Sequence, residues 1–194
     1  KIVAIEHITG TAANDNFIGS SGSNRLDGGL GSDMLNGAGG NDTLLGGLGN
    51  DTINGGAGID WLEMTNDRGV VVDLVKISAQ STGEGVDIIV GIENVEGADG
   101  NDRLFGNSVA NILDGDDGND LLDGRGGADR LLGDDGRDTL RGGAGNDFLT
   151  GGDDVDVFFF EAGGGIDRIT DFHNNGDLIE FRSGANVYSD LTFA

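Results

Sequence analysis

The chain has 194 residues, of which 39 are Gly and only 36% are hydrophobic, and it carries a formal net charge of −24 from 35 acidic and 11 basic side chains. Gly is far above its average of about 7%, so a conventional apolar core is not expected. The charge argues against nucleic acid or an anionic membrane surface as partner and for bound cations. There is no Cys, which removes disulfides and Cys-ligated zinc or iron–sulfur centres.

In chain order, KIVAIEHIT alternates apolar and polar residues as a strand does. From Gly10 the sequence is counted in nines: GTAANDNFI, GSSGSNRLD, GGLGSDMLN, GAGGNDTLL, GGLGNDTIN and GGAGIDWLE, ending at Glu63. Residues 64–96 break the count; within them Val70 to Leu74 reads as a strand and TGEGVDIIV (Thr82 to Val90) as a worn copy of the unit. A second array follows from Gly97 to Phe159, as GADGNDRLF, GNSVANILD, GDDGNDLLD, GRGGADRLL, GDDGRDTLR, GGAGNDFLT and GGDDVDVFF, and a differently composed tail runs from Phe160 to Ala194. The lead-in recurs as well: IVAIEHITG (Ile2 to Gly10) and IVGIENVEG (Ile89 to Gly97) lie 87 residues apart, so the chain is two copies of one module, expected to be a piece of a longer tandem array.

Across the thirteen units the first place is always Gly, the eighth always apolar, and the sixth is Asp in eleven and Asn in two, Asn24 and Asn111. Glycines at the first, second and fourth places are expected to let the backbone turn with φ > 0 so that carbonyl oxygens converge. The Asp after the turn adds a hard anionic oxygen, the donor Ca²⁺ selects. The aliphatic residue two places later faces inward from a very short strand. The absence of Pro suits an unbroken run of hydrogen-bonded rungs.

The unit G-G-x-G-x-D-x-U-x resembles the nonapeptide of RTX (repeats-in-toxin) calcium-binding domains. The resemblance implies an all-β fold, a parallel β-roll (calcium-loaded β-solenoid), as two tandem rolls with a connecting insert and a C-terminal β cap. The expected divisions are 1–96 for the first roll with its lead-in strand and insert, 97–159 for the second roll, and 160–194 for the cap. Two units make one 18-residue turn in that family, with calcium between loops stacked one turn apart. Carried over, Asp15, Asp33 and Asp51 line one edge of the first roll and Asn24, Asp42 and Asp60 the other. In the second roll Asp102, Asp120, Asp138 and Asp156 face Asn111, Asp129 and Asp147. Backbone carbonyls of Gly28, Gly31, Gly37, Gly39, Gly46, Gly49, Gly55, Gly115, Gly118, Gly124, Gly126, Gly133, Gly136, Gly142 and Gly145 would complete the shells.

Adjacent pairs along the edges give about nine Ca²⁺, each between two carboxylates where both partners are Asp. Roughly nine ions would offset most of the −24 charge. Pairs that include Asn24 or Asn111 should be weaker, and Asp154, in place of Gly at a fourth place, puts the last turn in question. One inward side chain per nine residues cannot offset the ordering entropy of so Gly-rich a backbone, and the Asp columns repel without metal. The apo chain should therefore be largely disordered, with metal binding supplying the folding free energy.

In the tail, FFFEAGGGIDRITDF and GDLIEF resemble the cap of family rolls, with Phe158, Phe160, Phe172 and Phe181 burying the last rung, and the final DLTFA resembles the end of a type I secretion signal. His7 and His173 read as solvated, and Trp61 and Phe148, at seventh places, as outward-facing. Arg103, Arg125, Arg130, Arg137 and Arg141 cluster in the second array, as a solvated face or as a docking stripe for an acidic polysaccharide.

The expected function is a non-catalytic module that folds on calcium outside the cell and supports secretion, stability and surface presentation of a larger bacterial exoprotein of adhesin or surface-layer type. Its partners would be calcium and type I secretion machinery, with no nucleic acid and no transmembrane segment. It would be a monomer, secreted or on the bacterial surface. The alternative is a polysaccharide-binding accessory module like the R-modules of mannuronan C5-epimerases. An ice-binding solenoid is a third reading, disfavoured because no regular rank of Thr and Asn occurs.

Overall fold

A nine-residue unit with a six-residue turn and one inward side chain leaves room for only a very short strand. In the computed structural model, which describes residues 6–161, 163–173 and 176–182, most strands are three residues long. The lead-in residues Ile2 to Ile5 and the DLTFA end lie outside the described residues. In chain order the strands are β1 (His7–Thr9), β2 (Asn16–Ile18), β3 (Arg25–Asp27), β4 (Met34–Asn36), β5 (Thr43–Leu45), β6 (Thr52–Asn54) and β7 (Trp61–Glu63) in the first array. The insert holds β8 (Val71–Asp73), β9 (Gln80–Ser81), β10 (Val86–Val90) and β11 (Asn94–Glu96). The second array holds β12 (Arg103–Phe105), β13 (Ile112–Asp114), β14 (Leu121–Asp123), β15 (Arg130–Asp135), β16 (Thr139–Arg141), β17 (Phe148–Asp153) and β18 (Val157–Phe160), and the tail adds β19 (Arg168–Ile169) and β20 (Leu178–Phe181).

The chain winds as a parallel β-solenoid. The odd strands other than β9 stack into one nine-stranded sheet, β1-β3-β5-β7-β11-β13-β15-β17-β19, which runs without a break through both arrays. The opposite side is divided into β2-β4-β6-β10-β9 and β8-β12-β14-β16-β18-β20. Within each array the partners are 18 residues apart, as in Leu26↔Leu44, Leu35↔Ile53 and Leu104↔Leu122. Each eighth-place side chain therefore sits on the next, and the columns of Leu26, Leu35, Leu44, Ile53, Leu62, Leu104, Leu113, Leu122, Leu131, Leu140, Leu149 and Phe158 are at most 2% exposed. This stacking is most of the apolar core, joined by Val70, Val72, Ile89 and Val95 of the insert, and it exists only when neighbouring turns are both wound.

The insert does not simply separate two rolls. On the long sheet β7 pairs directly with β11, so Leu62 stacks on Val95 across the gap. On the other side β10 continues the first array by pairing with β6, while β8 begins the second by pairing with β12. An antiparallel β9–β10 hairpin fills the space between, and the Val71 amide donates to the Thr82 carbonyl at 2.8 Å. A boundary at 96/97 thus falls inside a sheet that both arrays share. The tail closes the stack: β19 pairs with β17 and β20 with β18. There Phe158 meets Phe172 (ring centroids 6.2 Å apart) and Phe160 meets Phe181 (6.0 Å).

Candidate metal centres

Every sixth-place side chain sits on the turn that leaves one sheet for the other, so winding alone arranges them in two columns. The columns are tied together by one repeated hydrogen bond. The amide of Asp15 donates to Oδ1 of Asp33, that of Asp33 to Asp51, that of Asn24 to Asp42 and that of Asp42 to Asp60, all at 2.7–2.8 Å. In the second array the same bond links Asp102, Asp120, Asp138 and Asp156 along one edge and Asn111, Asp129 and Asp147 along the other. The twelve sixth-place residues after Asp15 are at most 5% exposed.

The second carboxylate oxygen has a different fate. Oδ2 of Asp33, Asp42, Asp51, Asp60, Asp120, Asp129, Asp138, Asp147 and Asp156 is buried without a hydrogen-bond partner. At the head of each column the corresponding oxygen is satisfied by the chain. Asp15 Oδ2 accepts the Thr11 amide (2.8 Å) and Asp102 Oδ2 the Ala98 amide (3.0 Å), while the side-chain oxygens of Asn24 and Asn111 accept the amides of Ser20 (2.7 Å) and Asn107 (2.8 Å). A buried, unpartnered carboxylate oxygen costs several kcal/mol unless the charge is met.

What lies beside these oxygens is the backbone of the loops. First-place glycines do not have φ > 0, contrary to expectation; the left-handed residues are at the second and fourth places, such as Gly29 (φ 90°) and Gly31 (φ 122°). The first place is Gly for room. A Cβ on Gly46 would lie 2.6 Å from Asp51 Oδ2, and one on Gly28 would lie 2.7 Å from the Gly46 carbonyl oxygen of the next turn. In the same way the carbonyls of Gly28, Gly37, Gly46, Gly55, Gly115, Gly124, Gly133 and Gly142 come within 3.1 Å of where a first-place Cβ of the preceding turn would stand. The carbonyls of Gly31, Gly49, Gly118 and Gly145 crowd fourth-place glycines of the following turn. The other three glycines implied by the resemblance, Gly39, Gly126 and Gly136, rest on that resemblance alone. Asp154 does adopt the left-handed conformation of the glycine it replaces, at φ 73°.

The electrostatics match an environment awaiting positive charge. Burial, reinforced by the neighbouring carboxylates of the column, pushes Asp120 up to about 8, Asp129 and Asp138 up to about 7 and Asp51 up to about 6, against the opposing effect of the amide each accepts. Burial likewise raises Asp33, Asp42, Asp60, Asp102, Asp147 and Asp156. No group of three or more His, Cys, Asp or Glu side chains converges among the described residues. A cation here would be held by carboxylates from two turns together with loop carbonyls, an all-oxygen shell of the kind that suits Ca²⁺. The orphaned oxygens and the glycine-walled space beside them fit that ion.

The columns also extend beyond the thirteen regular units, through Asp87 at the sixth place of the worn unit and through Glu93, Asp167 and Asp177, which the spacing in nines does not mark. The Asp51 amide donates to Asp87 (2.8 Å), the Asp60 amide to Glu93 (2.9 Å), the Asp147 amide to Asp167 (3.1 Å) and the Asp156 amide to Asp177 (3.1 Å). The available signal was the triplet Asp-x-apolar, in Asp87-Ile88-Ile89, Asp167-Arg168-Ile169 and Asp177-Leu178-Ile179, freed from the glycines. Asp87 differs from the internal Asp residues in that Thr82, standing where Gly would, donates its hydroxyl to Asp87 Oδ2.

The five arginines do not form one stripe. Arg125 is held by Asp73 through two bonds of 2.6 and 2.9 Å and covers Phe105, and Arg141 pairs with Asp123 and Glu161. Arg103 lies on β12 and Arg130 on β15, in different sheets, and Arg137 lies in a loop. His7 and His173 are exposed, Trp61 is half-buried and Phe148 is 48% exposed. Among the described residues no helix is long and apolar enough to cross a membrane.

A family model, the RTX calcium-binding nonapeptide repeat, matches the chain four times, over residues 5–35, 27–62, 96–131 and 132–169, together more than half of its length. A comparison with curated proteins finds no match.

Proposed function

The chain belongs to the RTX calcium-binding nonapeptide-repeat family, and on that premise we propose that this calcium-binding module is a folding switch of a larger exported protein, disordered where calcium is scarce and wound where it is plentiful. The repeat is a structural calcium-binding module and not a catalytic one; the activity of any larger protein that carries it is a separate matter. Nine buried carboxylate oxygens without a partner carry the reading. A fold that leaves so many charges unmet is unstable by itself, and one cation per orphaned oxygen would convert the same geometry into a stack of cross-turn bridges. About nine Ca²⁺ is therefore the stoichiometry we propose, each held by the Asp pairs named above.

Extracellular modules typically bind calcium with Kd of about 0.1–1 mM. In the cytosol the chain would remain loose and suited to export unfolded by type I machinery, and outside it would wind and stabilise what it is attached to, as in an adhesin or surface-layer protein. Ion counting by equilibrium dialysis, alongside circular dichroism across a calcium titration, tests this. Folding without bound calcium at pH 8 would overturn it.

A further inference from the structure

Thirteen sixth-place side chains end the same kind of turn, yet only nine leave their second oxygen without a partner, and the backbone at the second place of the unit divides the two groups without exception. In all nine loops with an unpartnered oxygen the second residue is left-handed. It is Gly in five of them, and in the other four it is Ala38 (φ 75°), Asp116 (φ 66°), Arg125 (φ 65°) and Asp134 (φ 64°). In the four loops at the heads of the columns the second residue, Thr11, Ser20, Ala98 or Asn107, has no positive φ. There its amide donates inward to the sixth-place oxygen of the same loop at 2.7–3.0 Å. The left-handed turn carries that amide away from the oxygen: Ala38 donates instead to Asn36 Oδ1 (3.0 Å), Arg125 to Asp123 Oδ1 (3.0 Å) and Gly152 to Asp171 Oδ2 (2.8 Å). A Cβ opposes this conformation, so the intrinsic preference of Ala38 or Arg125 does not select it. The worn unit adds a fourteenth loop. Gly83 is left-handed there as well (φ 103°), and Asp87 Oδ2 is met by the hydroxyl of Thr82, a fully buried side chain at the first place, where every regular unit has Gly.

We propose that the peptide unit between the first and second places is a two-position selector of ion binding. Turned inward, its amide satisfies the sixth-place oxygen and the loop takes no cation of its own; turned outward, it leaves that oxygen to Ca²⁺, unless a first-place hydroxyl meets it as Thr82 does. A buried carboxylate oxygen needs either a donor or a cation, and the loop supplies the donor in only one of the two orientations. The sixth-place Asp is therefore not sufficient, since Asp15 and Asp102 carry the same carboxylate as their column neighbours and are satisfied by their own loops. Each column begins with a loop that closes itself, and the column through Asp51 meets a hydroxyl at Asp87. The inference rests on calcium filling the nine outward-turned loops.

The test counts ions by equilibrium dialysis in saturating calcium, with circular dichroism on the same samples, for variants beside the parent chain. Ala38→Gly keeps the left-handed turn and should bind as many ions as the parent. Ala38→Val, whose branched side chain opposes positive φ, should fold and bind one ion fewer. The same change at Ala144, an exposed third-place residue of an outward-turned loop that has no positive φ itself, should leave the count unchanged. Thr82→Gly removes the hydroxyl from a loop that is already left-handed and should bind one ion more. A parental count in folded Ala38→Val, a lost ion in Ala144→Val, or a parental count in Thr82→Gly would each overturn the selector; should Ala38→Val not fold, the Thr82→Gly count decides. Failure of the calcium reading would appear in the parent chain itself, as folding with no ion bound, and is distinguishable from wrong counts in variants of a calcium-folded parent.

Discussion

The amide of Asp33 donates to Oδ1 of Asp51, one turn further on, at 2.8 Å, while Oδ2 of the same Asp51 is buried with no partner. One carboxylate thus does two things: it fixes the register of adjacent turns through the backbone, and it holds a charge that only a cation can meet. The repetition of that relationship along both edges is what makes winding and metal binding a single event.

Position within a column should decide the cost of losing a carboxylate. Asp42 accepts the Asn24 amide and leaves a buried Oδ2 unmet, whereas Oδ2 of Asp15 is already satisfied by Thr11. Asp42→Ala is expected to raise the calcium midpoint of folding roughly tenfold, and Asp15→Ala by about twofold or less. Equal midpoints in calcium titrations followed by circular dichroism would mean that ions are not shared between turns.

The glycine columns are separable by the same assay. Gly46→Ala brings a methyl group to 2.6 Å from Asp51 Oδ2 and 3.0 Å from Ile53 Cδ1, while the nearest atom to a Cβ on Gly39 is 3.7 Å away. Gly46→Ala should cost about 1–3 kcal/mol of calcium-dependent stability and Gly39→Ala within about 0.5 kcal/mol of nothing. Denaturant unfolding in saturating calcium distinguishes them; similar losses would refute the steric role given to the first place.

Protons should compete with calcium at these sites and partly replace it. In the metal-free fold Asp120 titrates at about 8, Asp129 and Asp138 at about 7 and Asp51 at about 6, against roughly 3.9 when unfolded. A folded pKa above the unfolded one means that the fold takes up protons. Stability from these groups is therefore fully present below about pH 4 and is lost as pH rises through 6 to 8. In chelator the chain should gain β-structure on acidification from pH 8 toward 4, and the calcium affinity of the acid-folded chain should be lower because protons occupy the same oxygens. No gain of β-structure in chelator between pH 8 and pH 4 would contradict the assignment.

The insert and tail should matter through the strands and carboxylates they lend. β8 and β11 supply the first neighbours of β12 and β13, and Asp167 and Asp177 accept the amides of Asp147 and Asp156. Residues 64–194 should fold at lower calcium than residues 97–194, and removal of 160–194 should raise the calcium requirement of the second array. Were the capless chain to fold at unchanged calcium, the tail would be no part of the stack.

The columns were legible because a strict count of nine places like residues above one another whatever the details of the turn. The reason for Gly at the first place was not, since close approach between turns such as Gly28 and Gly46 exists only after winding. The worn unit TGEGVDIIV already put Asp87 at a sixth place, 36 residues or four units after its donor, but Glu93, which joins its column at 33, and Asp167 and Asp177, which join at 20 and 21, were not legible. Their place depends on the path of an irregular connection, which no spacing encodes. The pairing of Arg125 with Asp73, 52 residues apart and across the insert, was hidden for the same reason.

The central claim, that cations meet the orphaned oxygens and thereby wind the chain, is tested most directly by isothermal titration of chelator-treated protein with Ca²⁺, with circular dichroism recorded at each addition. The account predicts a disordered spectrum at the start, β-structure appearing at millimolar or lower calcium, and about nine ions bound per chain at saturation. At pH 8, a β-rich spectrum in chelator that calcium does not change, or folding with no calcium bound, would contradict it.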